Sequence, residues 1–478
     1  MTAKRFTAAL LASASLTLGG CVIQAGDTYS GSAANRPVIE ADPDVAEAPR
    51  AKNVILFIGD GMGISTITAM RIYAGQKLGQ TGEEYVLPFE MFDNVALVKT
   101  YNVDAQVPDS AGTATAMHSG SKTNIGYLGV GPEARRNNCA DSKTYALPLI
   151  GEEATERGLA LGIVSTARIT HATPASVYSR ASDRDWESDA GIPEDQRGLG
   201  CDDIAKQLVQ SDFTVALGGG LTAFYGSDAD GWRLDSDADL PAGWVARTGG
   251  TYVTTQAELE AAPMDAPVFG LFSQSHMTFM AQREETSEEP TLTDMTAQAL
   301  SRLSSDPDGF YLMVESGRID HAHHGGYAGL ALEEGAEFAR AIQYAIDNTD
   351  PEETLILVTA DHSHVFTIAG YPRRGNDILG LVVPPEGAGT EFATAEDGLP
   401  YTTLGYANGP GSIANMAERP TPETGISARQ QSAIPTGSET HAGEDVALYA
   451  QGPGAEKARG VIEQNVIYDI IRSAFGWE

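Results

Sequence analysis

Short unbroken apolar runs alternate with longer stretches in which apolar residues recur every three or four positions. The runs at 53–58, 95–101, 160–166, 213–217, 309–314 and 354–359 read as strands. The stretches at 64–74, 147–157, 202–210, 292–303, 330–346 and 461–475 read as helices. Strands that alternate with helices predict an α/β fold: a large, mostly parallel central sheet with helices on both faces. Ligands of such sheets sit outside the carboxyl ends of the strands.

Those ends are polar in this chain. Asp60 follows NVILFIG, Thr166 leads into ARITHAT, Glu315 follows FYLMV, and Asp361 follows LILVTA. Acids repeated at strand ends are hard to explain as solvation alone. The tract 371–438 differs, being rich in Pro and Gly with weak periodicity, and reads as an insertion in a catalytic domain spanning 51–478.

The first twenty residues change the picture of location. Lys4 and Arg5 precede an apolar, Ala-rich stretch, and Leu18-Gly19-Gly20-Cys21 matches a bacterial lipobox. Residues 1–20 are therefore expected to be a cleaved signal peptide and Cys21 a lipidated first residue. Residues 21–50 form a tether, and the mature protein is placed in the periplasm or at the cell surface. Two other cysteines remain, Cys139 and Cys201. In an exported chain they are expected to pair, the alternative being two buried thiols. A closed loop of that length is worth roughly 4 kcal/mol in the chain-entropy account.

The net charge is −34, and losing Lys4 and Arg5 takes it to about −36. Such a surface repels nucleic acid, and no basic stripe offers it a groove. It also repels phosphate esters, so a site for them needs its own local positive field. Beyond the N-terminal segment no apolar run is long enough to span a bilayer, which leaves a lipid anchor as the only expected membrane contact.

Seven of the nine histidines fall in four short segments: His171; His321, His323 and His324; His362 and His364; and His441. Carboxylates accompany them, giving mixed N/O sets suited to zinc. Asp320 and His324 are four apart, one helical turn, and so share a face. Asp361-His362 sits where a bend after a strand can aim both inward. Each segment alone could be a capping Asp or a surface His; together they supply ligands for two zinc ions. In VPDSAGTATA, Ser110 opens a helix of small residues, where unpaired N–H groups and the helix dipole favour an anion. Asp109 or Ser110 could equally be a plain N-cap.

IGDGMG, PDSAGTATA, STARITHATPAS, ESGRIDHAHHGG, TADHSHVF and ETHAGEDVALYAQGP, in this order, resemble the alkaline phosphatase family from about Asn53 onward. His171 and His321 make the resemblance closer to the animal-type branch. The resemblance implies hydrolysis of phosphate monoesters with broad specificity, Ser110 as nucleophile, two zinc ions and one magnesium. It assigns Asp320, His324 and His441 to the first zinc, and Asp60, Asp361 and His362 to the second. Asp60, Thr173 and Glu315 would hold magnesium, and Arg184 the phosphate, with Arg180 a nearby competitor. His171, His321 and Asp109 would support these groups from behind. It also implies a Cys139–Cys201 disulfide and a homodimer. Ser273 in FGLFSQSHM stands where animal-type members carry an acid of a calcium site, so no calcium is implied. Rival readings are a diesterase or sulfatase on the same metal scaffold and a non-catalytic phosphate-binding lipoprotein. The complete set of Ser110, Arg184 and magnesium ligands favours the monoesterase.

Overall fold

The computed structural model describes residues 50–386 and 391–477. The expected signal segment, Cys21 and nearly all of the tether lie outside the described residues. Strands β1 (Asn53–Gly59), β2 (Asn94–Lys99), β3 (Ala160–Arg168) and β4 (Val215–Gly219) come first. They are followed by β5 (Thr251–Val253), β6 (Val268–Leu271), β7 (Phe310–Ser316) and β8 (Thr354–Ala360). Next come the short strands β9 (Ser363–His364), β10 (Phe366–Ile368), β11 (Leu404–Gly409), β12 (Ser432–Pro435) and β13 (His441–Ala442). Finally β14 (Val446–Gln451) and β15 (Gly460–Glu463) return to the main sheet.

That sheet has ten strands in the order β15-β2-β14-β8-β1-β7-β3-β4-β6-β5. Every neighbouring pair is parallel except those of β14, which runs antiparallel to β8 and β2. Every residue of β7 and β8 is buried, as in parallel strands covered on both faces. Helices Leu292–Leu303 and Ala328–Asp347 pack on β1, β3 and β7, and so do helices Ile150–Glu156 and Val466–Phe475. With both strand faces buried, these two groups form the covering layers.

Register explains where the chemistry gathers. Ile58 of β1 lies level with Glu315 of β7 and Thr359 of β8, and Ser165 of β3 lies level with Glu315. Neighbouring parallel strands are about 4.8 Å apart. Asp60, Glu315 and Asp361 therefore gather at one edge of three adjacent strands, with Asp60 between the other two.

The six expected strands are present with ends shifted by a few residues. The expected helix at 461–475 is corrected: residues 461–463 belong to β15, and the helix begins at Val466. Gly460 turns the chain at φ +70°, and the β-branched pair Val461-Ile462 then pairs with Leu97 and Val98 of β2. Branched side chains fit a pleated edge better than a first helical turn. The expected helix at 147–157 starts only at Ile150, because Pro148 disfavours a helical Leu147. From the 371–438 tract, β11 and β12 join β10 in a three-stranded sheet. Cys139 and Cys201 are disulfide-bonded, with Cα atoms 5.7 Å apart.

Candidate active site

Ser110 opens the helix Ser110–Ser119, and Asp109 caps it by accepting from the Gly112 N–H. The cap fixes the helix start, so the serine is presented from the first turn. Ser110 is buried, and its Oγ lies 3.1 Å from His362 Nε2. His362 Nε2 in turn lies 3.2 Å from Asp361 and 3.5 Å from Asp60. Asp60, Asp361 and His362 thus form one cluster, each offering an atom within 4.8 Å of the others.

A second cluster lies beside it. Asp320 and His324 share a face of the helix Arg318–His324, with His324 Nε2 3.3 Å from Asp320 Oδ1. His441 Nε2 is 3.4 Å from the same oxygen and 3.1 Å from His324 Nε2. His441 arrives on β13, which pairs antiparallel with β9 so that His441 stands opposite His364. Two imidazole nitrogens and a carboxylate oxygen converging this closely could hold a metal ion.

A third group uses oxygen. Asp60 and Glu315 each offer an atom within 4.8 Å of His171. Thr173, in the short helix Ala172–Ala175, is buried two residues after His171.

These groups carry the mark of a metal centre. Both oxygens of Asp60, Thr173 Oγ1, Glu315 Oε1 and Asp361 Oδ2 are buried without a hydrogen-bond partner. Buried polar atoms are normally paired, so oxygens left in this way suit a bound metal cation. Burial first, then Asp361, Asp320 and Glu315, push Asp60 well above the usual carboxylate range. Burial likewise raises Asp361 and takes Glu315 up to about 7. Asp320 goes the other way: burial works against ionisation, but His324, His364 and His441 outweigh it and hold the carboxyl well below its ordinary value.

The opposite side is cationic. Arg184 Nη1 donates to Asp109 Oδ2 at 3.1 Å, and Arg184 Nη2 lies 3.0 Å from His171 Nε2. Arg180 instead pairs with Glu152 and donates to the Leu147 carbonyl, so it faces away from this group. His171 and His321 stand with ring centroids 5.4 Å apart. Burial lowers His171 well below the ordinary imidazole value and takes His321 down to about 3. Both rings are therefore neutral.

Several contributing residues were given no role by the sequence reading. His364 Nε2 donates to Asp320 at 2.8 Å and its Nδ1 to Glu439. Burial opposes its charge, yet the two carboxylates raise it to about 9, and it orients Asp320. Ser165 donates to Glu315. Position offered a signal for His364, two residues from the expected ligand His362 on an extended segment. Gly61, at φ +67°, leaves no room for a Cβ, which would fall 2.3 Å from His364 Nε2. The tight turn after β1 therefore requires glycine.

Buried N/O clusters at the carboxyl edge of a parallel sheet, facing a serine and an arginine, define a metal-dependent ester hydrolase. Residues 51–476 match the family described as Alkaline phosphatase. The chain is 44% identical over 448 residues to the tissue-nonspecific alkaline phosphatase of Gallus gallus, covering 87% of this chain and 83% of that one. It is 42% identical to alkaline phosphatase 4 of Drosophila melanogaster, covering 87% and 75%. Among solved structures, a histidine-to-glutamate variant of the TAB5 alkaline phosphatase with magnesium bound has a TM-score of 0.64 at 26% identity, covering 90% and 99%. The chain belongs to the alkaline phosphatase family, and its reaction is the hydrolysis of phosphate monoesters.

Proposed function

We propose that this chain cleaves monoesters through a phosphoserine on Ser110, with two zinc ions and one magnesium, as an exported enzyme tethered through lipidated Cys21. The observation that carries the reading is Ser110 Oγ at 3.1 Å from His362 Nε2, inside a field of buried, unpartnered ligand atoms. Asp320, His324 and His441 hold the first zinc, Asp60, Asp361 and His362 the second, and Asp60, Thr173 and Glu315 the magnesium. Bound there, the cations supply activation of the serine hydroxyl and of water and neutralise charge on the transferring group.

The chain's own residues do the rest. Ser110, at the first position of its helix, places Oγ where unpaired backbone N–H groups favour the phosphoryl oxygens. Oγ attacks phosphorus, the alcohol departs with a proton, and water then hydrolyses the phosphoserine to free phosphate. Arg184 spends one N–H on Asp109 and sets another against His171, which leaves the remaining donors of its fork for non-bridging oxygens. The phosphate is the recognised group, so the alcohol matters little and specificity is broad. A dimer, as the family resemblance implies, belongs to the same reading. Phosphate release from a chromogenic monoester and diester, with and without chelator, tests it. Rapid, chelator-sensitive turnover of the monoester supports it; preference for the diester overturns it.

A further inference from the structure

Asp109 does more than cap a helix. Its Oδ1 accepts from the Gly112 N–H and from Asn102 Nδ2, both at 3.0 Å. Its Oδ2 accepts from the Gly126 N–H at 3.0 Å and from Arg184 Nη1 at 3.1 Å. Burial opposes its charge, but Arg184 and the two backbone N–H groups outweigh it and hold the carboxyl low. Of the donors that aim this carboxylate, two are backbone, one is Arg184 itself, and Asn102 is the remaining side chain.

Asn102 is built for that contact. It is buried, and its backbone exchanges hydrogen bonds with Ala105 at 3.0 and 3.3 Å. The Val103 N–H donates to Thr123 O, and the Ile125 N–H to Asp104. This staples the 102–105 turn to the loop that brings Gly126 to Asp109. A Cβ on Gly112 would fall 2.6 Å from the Asn102 amide, so glycine in the first turn of the Ser110 helix is what admits the amide. We infer that Asn102 is a positioning residue for phosphate binding: it fixes the rotation of the Asp109 carboxylate and, through it, the guanidinium of Arg184. The inference rests on the phosphatase reading above.

A double-mutant cycle tests it, with phenyl phosphate as substrate and inorganic phosphate as inhibitor. Asn102→Ala should raise KM and the phosphate inhibition constant together by about three- to ten-fold, the scale of one ordinary hydrogen bond. Zinc content should stay that of the wild type. In an Arg184→Ala background the same change should move either constant by less than about two-fold, because the group it positions is gone. Losses that multiply in the double variant would assign Asn102 to general stability and overturn the inference. Should the alanine variant fold poorly, the near-isosteric Asn102→Leu removes the donor without a large cavity or an added charge and must show the same coupling. Wild-type turnover of phenyl phosphate checks the phosphatase reading separately.

Discussion

The two sides of the site are finished to different degrees. On the acidic side, Asp60, Glu315 and Asp361 come from adjacent strands, and each keeps at least one buried oxygen without a hydrogen-bond partner. On the cationic side, Asp109 has both oxygens bonded, and Arg184 is braced between Asp109 and His171. One side leaves oxygens suited to cations; the other is assembled by the chain itself. Like charges gathered in a buried place raise one another's cost of ionisation, so the acidic side should be the more fragile.

Removing the cations breaks the comparison hardest. Exhaustive chelation should abolish turnover and lower the melting temperature by several degrees, since ions that bind only the folded state stabilise it. Zinc and magnesium together should restore both. Undiminished activity in protein shown by elemental analysis to lack zinc would end the argument. Ser110→Ala comes next, with a fall in kcat of at least about a thousand-fold, the scale on which serine hydrolases lose a nucleophile. Acid-quenched samples should then contain no phosphoenzyme, while metal content and melting temperature hold.

The cationic side should respond more gently. Arg184→Gln is expected to cost about ten- to a hundred-fold in kcat/KM, as loss of charge-assisted bonds to phosphate does, and to weaken phosphate inhibition in step. Unchanged phosphate inhibition would show that the arginine does not reach the anion. The smallest effect is expected where the two sides meet. Burial keeps His171 and His321 neutral, so changing them to Asp and Lys places a charge of each sign beside the proposed magnesium and phosphate positions. Magnesium affinity and phosphate inhibition should each tighten by about ten-fold, the worth of roughly 1.4 kcal/mol of added charge interaction. If neither moves, the two rings only fill space.

How much of this was legible in the sequence follows from what kind of contact each residue makes. β1, β7 and β8 announce themselves because parallel strands buried on both faces must be apolar throughout, and the acids ending them stand out by contrast. Asp320 and His324 were legible because their spacing is a property of one helix. β5, β6, β14 and β15 were missed: the first two are short, and β15 was absorbed into the amphipathic helix that follows it. Asn102 and Glu439 were illegible for another reason. Their partners, Asp109 and His364, are brought near by tertiary folding, and neither lies in a patterned element. Asn102 reads as an ordinary loop asparagine until Gly112 is seen pressed against its amide.

The disulfide has a consequence for the molecule as a covalent object. Cys139 and Cys201 are 62 positions apart, and the loop they close contains all of β3 together with His171, Thr173 and Arg184. Residues 197–200, just inside the bridge, are exposed and are the natural place for a protease to cut. A chain nicked there remains one molecule, and the pieces carrying Ser110, Arg184 and His441 cannot drift apart. On a gel run without reductant it should migrate as a single band and keep its activity. With reductant it should fall into two. For an enzyme expected to work outside the cytoplasm, among hydrolases it does not control, the bridge is insurance against its surroundings as much as a brace for its fold.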